Sequence, residues 1–139
     1  MSIRRVLPEE ARALLNEGYV YVDVRSVPEF DEAHPAGAYN VPVMHAGPGG
    51  MTPNAAFVSV MERKFAKDAK LVLGCRSGQR SMRAADLLAA AGFTDLVDLK
   101  TGFDGSRDGF GRVVAEGWRG AGLPVESGPG ERSWPALET

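Results

Sequence analysis

The strongest constraint on the fold of this chain is the alternation of short apolar runs with stretches whose apolar residues recur at helical spacing. The runs at residues 19–24, 71–73 and 96–99 are rich in Val, Leu and Tyr, which is typical of buried strands. Intervening stretches place apolar residues three and four positions apart, as Ala11 and Leu14 do. Strands and helices that alternate in this way predict an α/β domain with a mainly parallel sheet covered by helices on both faces.

Two further short runs complete a predicted sheet of five strands, at residues 3–6, 19–24, 38–41, 71–73 and 96–99. Prolines at first-turn positions, a hydroxyl cap and glycine stops predict the helices. These are expected over residues 8–18, 28–34, 52–67 and 82–92, with a short one around Trp118. The glycine- and proline-rich stretch 44–51 is expected to be a loop, and 101–117 is too glycine-rich to assign.

Length and composition exclude several classes of protein. A chain of 139 residues can bury a core as one domain without a disulfide or metal. Its net charge of -2 lacks the basic excess of nucleic-acid binders, and no apolar run approaches the roughly 20 residues of a membrane helix. One cysteine allows no intrachain disulfide, and the N-terminus lacks a signal-peptide pattern. We therefore expect a cytoplasmic protein without nucleic-acid or membrane partners; the oligomeric state stays open.

The single cysteine lies where an α/β fold places its ligands. Cys75 follows a short apolar strand and precedes a helical stretch, so it is expected at the carboxyl end of a strand, near free backbone N–H groups. Arg76 and Arg80 add two cations, and all these effects favour a thiolate. Ser77 and Gly78 are small enough for the loop to curl with its amides inward, around an anion or a persulfide. A lone cysteine at a strand end is also often a buried apolar residue, but two neighbouring arginines favour a reactive one.

A family resemblance is carried by this loop together with three other groups of residues. The segment Cys75-Arg76-Ser77-Gly78-Gln79-Arg80-Ser81 resembles the active-site loop of single-domain rhodaneses. The N-terminal signature of that family resembles Tyr21-Val22-Asp23-Val24-Arg25, Glu29-Phe30, His34, Gly37-Ala38, Asn40 and Pro42. Its C-terminal signature resembles Thr101-Gly102-Phe103, Trp118 and Gly122-Leu123-Pro124, and Met51-Thr52-Pro53-Asn54 resembles the plant-like and bacterial branch.

The resemblance covers residues 3–126 and implies a rhodanese domain over residues 1–126. The composition of residues 127–139 predicts a flexible C-terminal tail. It implies that Cys75 takes the outer sulfur of a donor such as thiosulfate, holds it as a persulfide, and passes it to cyanide, a small thiol or a thiol protein. The donor would be bound by Arg76, Ser77, Gly78, Gln79 and Arg80. No metal or other cofactor is expected.

The chain departs from the family pattern at two places. Residues 104–117 form an insertion-like stretch, which we expect to shape one rim of the site. The usual glycine pair of the C-terminal signature is here Thr101-Gly102, so the turn is expected to differ.

Two other functions remain open from the residues. Cysteine phosphatases and arsenate reductases resemble this chain in their anion-cradling loop, but their arginine comes six positions after the cysteine, where this chain has Ser81. A sulfur-relay or binding module would form the persulfide yet turn over small donors poorly.

The remaining polar and aromatic candidates have structural interpretations. Asp23 and Arg25 are expected to form an ion pair or cap at a strand end. His34 is expected to be a structural hydrogen-bonding residue and His45 a loop residue, because the two histidines are not at metal-ligand spacing. Trp118 is expected in the core. Trp134 packs either on the domain itself or on another subunit.

Overall fold

The computed structural model describes residues 3–138. In chain order, the strands in this range are β1 (Arg4–Val6), β2 (Val20–Asp23), β3 (His34–Pro35), β4 (Tyr39–Asn40), β5 (Met44–Gly47), β6 (Gly50–Pro53), β7 (Lys70–Gly74), β8 (Asp95–Leu99), β9 (Ser106–Arg107), β10 (Val113–Ala115) and β11 (Val125–Glu126). The helices are α1 (Pro8–Asn16), α2 (Val27–Glu32), α3 (Phe57–Lys64), α4 (Arg80–Ala90) and α5 (Trp134–Leu137). Over the same range, no helix has the length and apolar character needed to cross a membrane.

The main sheet has five strands in the order β1-β8-β7-β2-β4, and its four pairings are all parallel. Strand β7 lies at the centre, with Leu71 opposite Leu96 on one side and opposite Val20 on the other. The prediction of an α/β fold with a five-stranded parallel sheet is therefore confirmed. Because the strands are parallel, their carboxyl ends lie along one edge, where ligands bind in such sheets.

Successive residues of the central strand pack on opposite faces of the sheet, as the strand period of two requires. Leu71 and Leu73 belong to a core cluster with residues of α3 and α4, whereas Val72 belongs to a second cluster with residues of α1 and α2. The predicted helices on both faces are thus present. Each large apolar side chain buried in these clusters stabilises the fold by about 1.5–3 kcal/mol.

The stretch 44–51, expected as a loop, is instead part of an antiparallel hairpin formed by β5 and β6. Gly50 has a φ of 105°, a conformation that glycine adopts without strain and that closes the two-residue turn. The helix expected to begin at Thr52-Pro53 begins later, at Phe57. Asn54 makes the turn between hairpin and helix, because its side chain accepts the Ala56 N–H at 3.0 Å.

The region around Trp118 is a series of turns, and the short helix expected there is absent from the described residues. Trp118 is fully buried, as predicted, and its indole Nε1–H donates to the Pro124 carbonyl at 2.8 Å. The glycine-rich stretch before it contains a second small hairpin, formed by β9 and β10. A backbone so dense in glycine has few side chains to bury, so its conformation follows from the hydrogen bonds of turns.

The end of the segment 127–138 packs on the domain, although its composition predicted a flexible tail; most of residues 127–132 are exposed, and Thr139 lies outside the described residues. Trp134 and Leu137 are 6% and 4% exposed and belong to the cluster with α3 and α4. The ring of His45, which lies in β5 and not in a loop, meets Trp134 edge-on at 5.6 Å. Arg63 of α3 donates to the Leu137 carbonyl at 2.7 Å. The burial of Trp134 therefore holds the end of the segment on the domain, although the segment is mostly polar.

The Trp134→Ala substitution is expected to lower the free energy of unfolding by about 3 kcal/mol, because it removes a buried aromatic side chain and leaves a cavity. Urea denaturation followed by circular dichroism measures the change. The control Glu131→Ala, at an exposed position of the same segment, is expected to change stability by less than about 0.5 kcal/mol. Equal stability of the two variants would mean that the tail does not pack as described.

Candidate active site

The loop that carries Cys75 is fixed by backbone hydrogen bonds to other segments. Three consecutive carbonyls, at residues 74–76, accept the N–H groups of Val24, Phe103 and Asp104 at 2.9, 2.7 and 2.9 Å. Their partners come from the end of β2 and from the turn after β8. Because these carbonyls point to neighbouring segments, the following amides of the loop are free to point toward the cysteine.

Two glycines allow the segments to approach this closely. A Cβ atom at Gly74 would lie 1.8 Å from the hydroxyl of Tyr21. Gly102 has a φ of 64°, and a Cβ atom there would lie within 2.6 Å of the carbonyls of Arg76 and Cys75. In the Thr101-Gly102 turn, the second position is therefore the one that cannot carry a side chain.

The sulfur of Cys75 receives two polar contacts in a nearly closed environment. The Gly78 N–H donates to Sγ at 3.1 Å, and the Ser81 hydroxyl lies 3.4 Å from it. Cys75 itself is 1% exposed. The loop thus curls as its small residues predicted, but α4 begins only at Arg80, five positions after the cysteine. The contact of Ser81 with the sulfur was not predicted, although the loop motif places a hydroxyl in the first turn of the helix that follows.

Both arginines of the loop are paired with carboxylates. Arg80 makes a two-pronged ion pair with Glu29, with N–O distances of 2.7 and 2.9 Å. Arg76 is more exposed, and its Nε lies 3.2 Å from Asp104 Oδ2. We expected two cations free to hold an anionic donor, whereas the structure gives each of them a carboxylate partner. A donor that binds either guanidinium group directly would have to compete with its carboxylate partner.

Glu29 connects the start of α2 to the cysteine loop. It occupies the third position of that helix, and its carboxylate accepts hydrogen bonds from the Ser26 backbone N–H at 3.1 Å and from the Ser26 hydroxyl at 2.8 Å. The bond from the backbone N–H is the one that the acidic residue of a capping box makes at a helix start. Burial raises the pKa of Glu29, but the hydrogen bonds from Arg80 and Ser26 outweigh this effect and lower it from 4.5 to about 2. Glu29 is therefore ionised across the neutral range and holds Arg80 against the sheet edge.

Asp23 and Arg25 form a buried ion pair, as expected from their place at the end of β2. Arg25 Nη2 lies 2.7 Å from Asp23 Oδ2 and also donates to the Ala33 carbonyl at 2.7 Å. Its guanidinium stacks over the ring of Phe103, 4.4 Å from the centroid. The pair ties together the end of a strand, the end of a helix and the turn after β8, which confirms its structural interpretation.

His34 is likewise structural, as predicted. Its Nδ1 is 2.7 Å from the Phe30 carbonyl, and its Nε2 is 3.1 Å from Glu126 Oε1. These contacts join α2 to β11. Among residues 3–138, no group of three or more His, Cys, Asp or Glu side chains is arranged to hold a metal ion.

A cavity of about 490 Å³ opens beside the loop, lined by Arg76, Ser77, Gln79, Asp104, Gly105, Ser106 and Arg107. Its wall therefore combines the cysteine loop with the start of the 104–117 stretch, which we expected to shape a rim. Arg107 donates to the Gly111 carbonyl at 2.9 Å and makes no ion pair with another described residue. The cavity thus has one unpaired cation beside the paired Arg76.

Comparisons with known proteins place this geometry in context. The family profile described as Rhodanese-like domain matches residues 7–108. Senescence-associated protein DIN1 of Raphanus sativus is 40% identical over 93 residues, which cover 67% of this chain and 51% of that protein. The chain therefore spans about half the length of this curated relative.

A second relative and a solved structure match over most of the length of both chains. Thiosulfate sulfurtransferase 16, chloroplastic, of Arabidopsis thaliana is 35% identical over 117 residues, which cover 84% of this chain and 88% of that protein. The crystal structure of Rv0390 from M. tuberculosis superposes with a TM-score of 0.78 at 28% identity, and the match covers 92% of this chain and all of that one.

The Glu29→Gln substitution is expected to remove a pH-dependent part of the stability. The folded-state pKa of Glu29, about 2, lies below its ordinary 4.5, so ionised Glu29 stabilises the fold above that value, and this contribution is lost as the pH falls toward 2. Near neutral pH the variant should be less stable by about 2 kcal/mol, and the two proteins should converge near pH 2. Chemical denaturation across pH measures the difference, with Glu9→Gln on the surface of α1 as control. Parallel curves would contradict the assigned cause.

Proposed function

The chain belongs to the rhodanese-like family, and we propose that it moves a sulfane sulfur from a donor such as thiosulfate to a thiophilic acceptor through a persulfide on Cys75. Relatives named thiosulfate sulfurtransferase support a sulfurtransferase at the level of the family. The observation that carries the finer proposal is the Gly78 N–H aimed at the sulfur of the chain's only cysteine, at the carboxyl end of the central strand.

The first half of the proposed reaction loads the sulfur. The Cys75 thiolate attacks the outer sulfur of the donor, a new S–S bond forms, and the donor's own S–S bond breaks. With thiosulfate, sulfite leaves with the electron pair of the broken bond. The outer sulfur of the persulfide then carries the negative charge, which amides of the curled loop can stabilise as hydrogen-bond donors.

The second half of the proposed reaction transfers the sulfur from Cys75 to the acceptor. A cyanide ion or a thiolate attacks the outer sulfur, and Cys75 leaves as the thiolate that began the cycle. Because the chain has no second cysteine, the acceptor must come from outside it. A small thiol or the thiol of another protein meets this requirement.

The cavity beside the loop is the proposed binding site for the donor. Arg107, which has no carboxylate partner among the described residues, and the polar groups of Ser77 and Gln79 suit an anion with several oxygens. Cys75 is 1% exposed, so we expect donor binding to displace side chains at the rim of the loop. Arg76, with its exposed side chain and long contact to Asp104, is the most easily moved of these.

A sulfur-relay module is a second candidate, favoured by the surface beside the cavity. The hairpin of β9 and β10 exposes Phe110 and Val114 to 86% and 64%, which suits contact with a protein better than with a small anion. Turnover of thiosulfate and cyanide supports the enzyme; a persulfide formed only from a protein donor supports the relay.

A phosphatase is less well supported, because Arg80 is held by Glu29 and Ser81 stands at the position of the phosphate-binding arginine.

The Cys75→Ser substitution is expected to abolish transfer of sulfur from thiosulfate to cyanide, because a hydroxyl cannot form the persulfide. Intact-mass analysis should show that the parent protein gains one sulfur atom on incubation with thiosulfate and loses it on addition of cyanide. The variant should show neither change, while its circular dichroism spectrum stays that of the parent. Substantial turnover by the variant would overturn the mechanism.

The Arg107→Ala substitution is expected to raise KM for thiosulfate about fivefold with little change in kcat, because it removes the unpaired cation of the cavity. Steady-state kinetics at low and high salt tests this, since added salt should narrow the difference. Arg12→Ala, which removes the same charge from α1, serves as control and should leave KM unchanged. Equal KM values for all three proteins would exclude Arg107 from donor binding.

A further inference from the structure

The tip of the cysteine loop is bound from outside the cavity by Arg5, a residue of the edge strand β1. Arg5 Nη2 donates to the Gly78 carbonyl at 3.0 Å. The N–H of the same glycine donates to the Cys75 sulfur at 3.1 Å. The two backbone groups of Gly78 thus have different partners, since its N–H binds the sulfur and its carbonyl binds β1. Arg5 is not among the residues that line the cavity beside the loop.

The guanidinium of Arg5 is itself fixed by Asp98. Strand β1 pairs with β8, and Arg5 lies opposite Asp98 in this pairing. Arg5 Nε donates to Asp98 Oδ2 at 2.8 Å, and the carboxylate is fully buried. A planar guanidinium that makes two hydrogen bonds through different nitrogens has a defined direction. Because the carboxylate balances the charge of Arg5, what Arg5 gives the loop is a directed hydrogen bond more than a net charge.

Gly78 needs such a contact because of its backbone conformation. Its φ is 100°, in the region that favours glycine. A Cβ atom at this position would collide with the Lys100 carbonyl in the turn after β8, so the residue cannot carry a side chain. A glycine backbone has more conformational freedom than that of any other residue. A hydrogen bond that fixes the Gly78 carbonyl therefore also restricts where the Gly78 N–H points.

We propose that Arg5 is a positioning residue for Cys75: by binding the Gly78 carbonyl, it keeps the Gly78 N–H directed at the sulfur. A hydrogen bond from that N–H stabilises the thiolate relative to the thiol. Arg5 acts through Gly78, and its own hydrogen bonds go to Gly78 and Asp98. The proposal rests on the function proposed above in taking Cys75 as the nucleophile.

A cation near a cysteine also favours the thiolate by its charge alone, and the pairing of Arg5 with Asp98 separates this effect from positioning. Arg5→Met removes a positive charge together with both hydrogen bonds. Arg5→Met combined with Asp98→Asn removes one charge of each sign, so the net charge beside the loop stays that of the parent. The double variant also leaves no buried carboxylate without its partner, so it serves if Arg5→Met alone does not fold. Tyr21 and Arg80, which interact electrostatically with Cys75, are the same in both variants.

The pH dependence of Cys75 alkylation by iodoacetamide measures the formation of the thiolate. The chain has no other cysteine, so the loss of free thiol reports the modification of Cys75. The plateau rate depends on access to the sulfur, whereas the midpoint of the pH profile depends on ionisation and is the quantity compared. We expect the midpoint to rise by about one pH unit in Arg5→Met, and by about as much in the double variant, because both lose the restraint on the Gly78 N–H.

Two controls on the same strand match these variants. Arg4 pairs with Glu10 at the surface, so Arg4→Met matches the single variant, and Arg4→Met with Glu10→Gln matches the charge-balanced one. Both controls should keep the midpoint of the parent. A midpoint that rises in Arg5→Met but returns to the parent value in the double variant would assign the effect to charge and overturn the proposal. An unchanged or lower midpoint in both Arg5 variants, or an equal rise in the controls, would also overturn it.

These measurements need no sulfur donor, so they separate the two proposals. If the parent gains no sulfur from thiosulfate while both Arg5 variants raise the midpoint, the sulfurtransferase proposal fails and the positioning of Cys75 by Arg5 stands. If the parent gains sulfur and the midpoint does not rise, the positioning role alone fails. Thermal unfolding of each variant confirms that the comparison is made between folded proteins.

Discussion

Three backbone hydrogen bonds, made by the carbonyls of residues 74–76, are the constraint on which the candidate site depends. They join the end of the central strand to β2 and to the turn after β8, two segments far apart in the sequence. While these carbonyls bind their partners, the Gly78 N–H of the same loop donates to the sulfur of Cys75. Gly102 permits the arrangement because a side chain there would collide with the loop. The sulfur is therefore held by main-chain geometry more than by any one side chain.

The charged residues around the loop fix geometry more than they supply net charge. Arg80 is balanced by Glu29, and Arg5 by Asp98. Each pair connects the loop to a different element, α2 in one case and the sheet in the other. Side chains so constrained lose little further entropy when a donor binds, which is how preorganisation helps binding. Arg107, the cation of the cavity lining without a carboxylate partner among the described residues, belongs to the segment that departs from the family pattern.

The sheet and the cysteine loop could be predicted from the sequence, because both depend on local patterns of residues. Strand and helix periods predicted the order of the elements, and the loop motif predicted a curl around the sulfur. Contacts between distant segments could not be predicted. Arg5 and Asp98 are 93 positions apart and meet only because β1 pairs with β8. The β5–β6 hairpin has a loop-like composition, and Trp134 lies in a polar segment, so in both cases tertiary packing overrode the local signal.

The two tryptophans of the chain lie in different core clusters, Trp118 with α1 and α2, and Trp134 with α3 and α4. The sheet separates these clusters, so each indole is shielded from water by a different layer of the protein. Trp118 contacts Tyr21, whose hydroxyl lies under Gly74 at the start of the cysteine loop. The protein thus carries two built-in fluorescent reporters, one for each side of its sheet. Emission from each indole separately would show whether the two layers open together or one at a time.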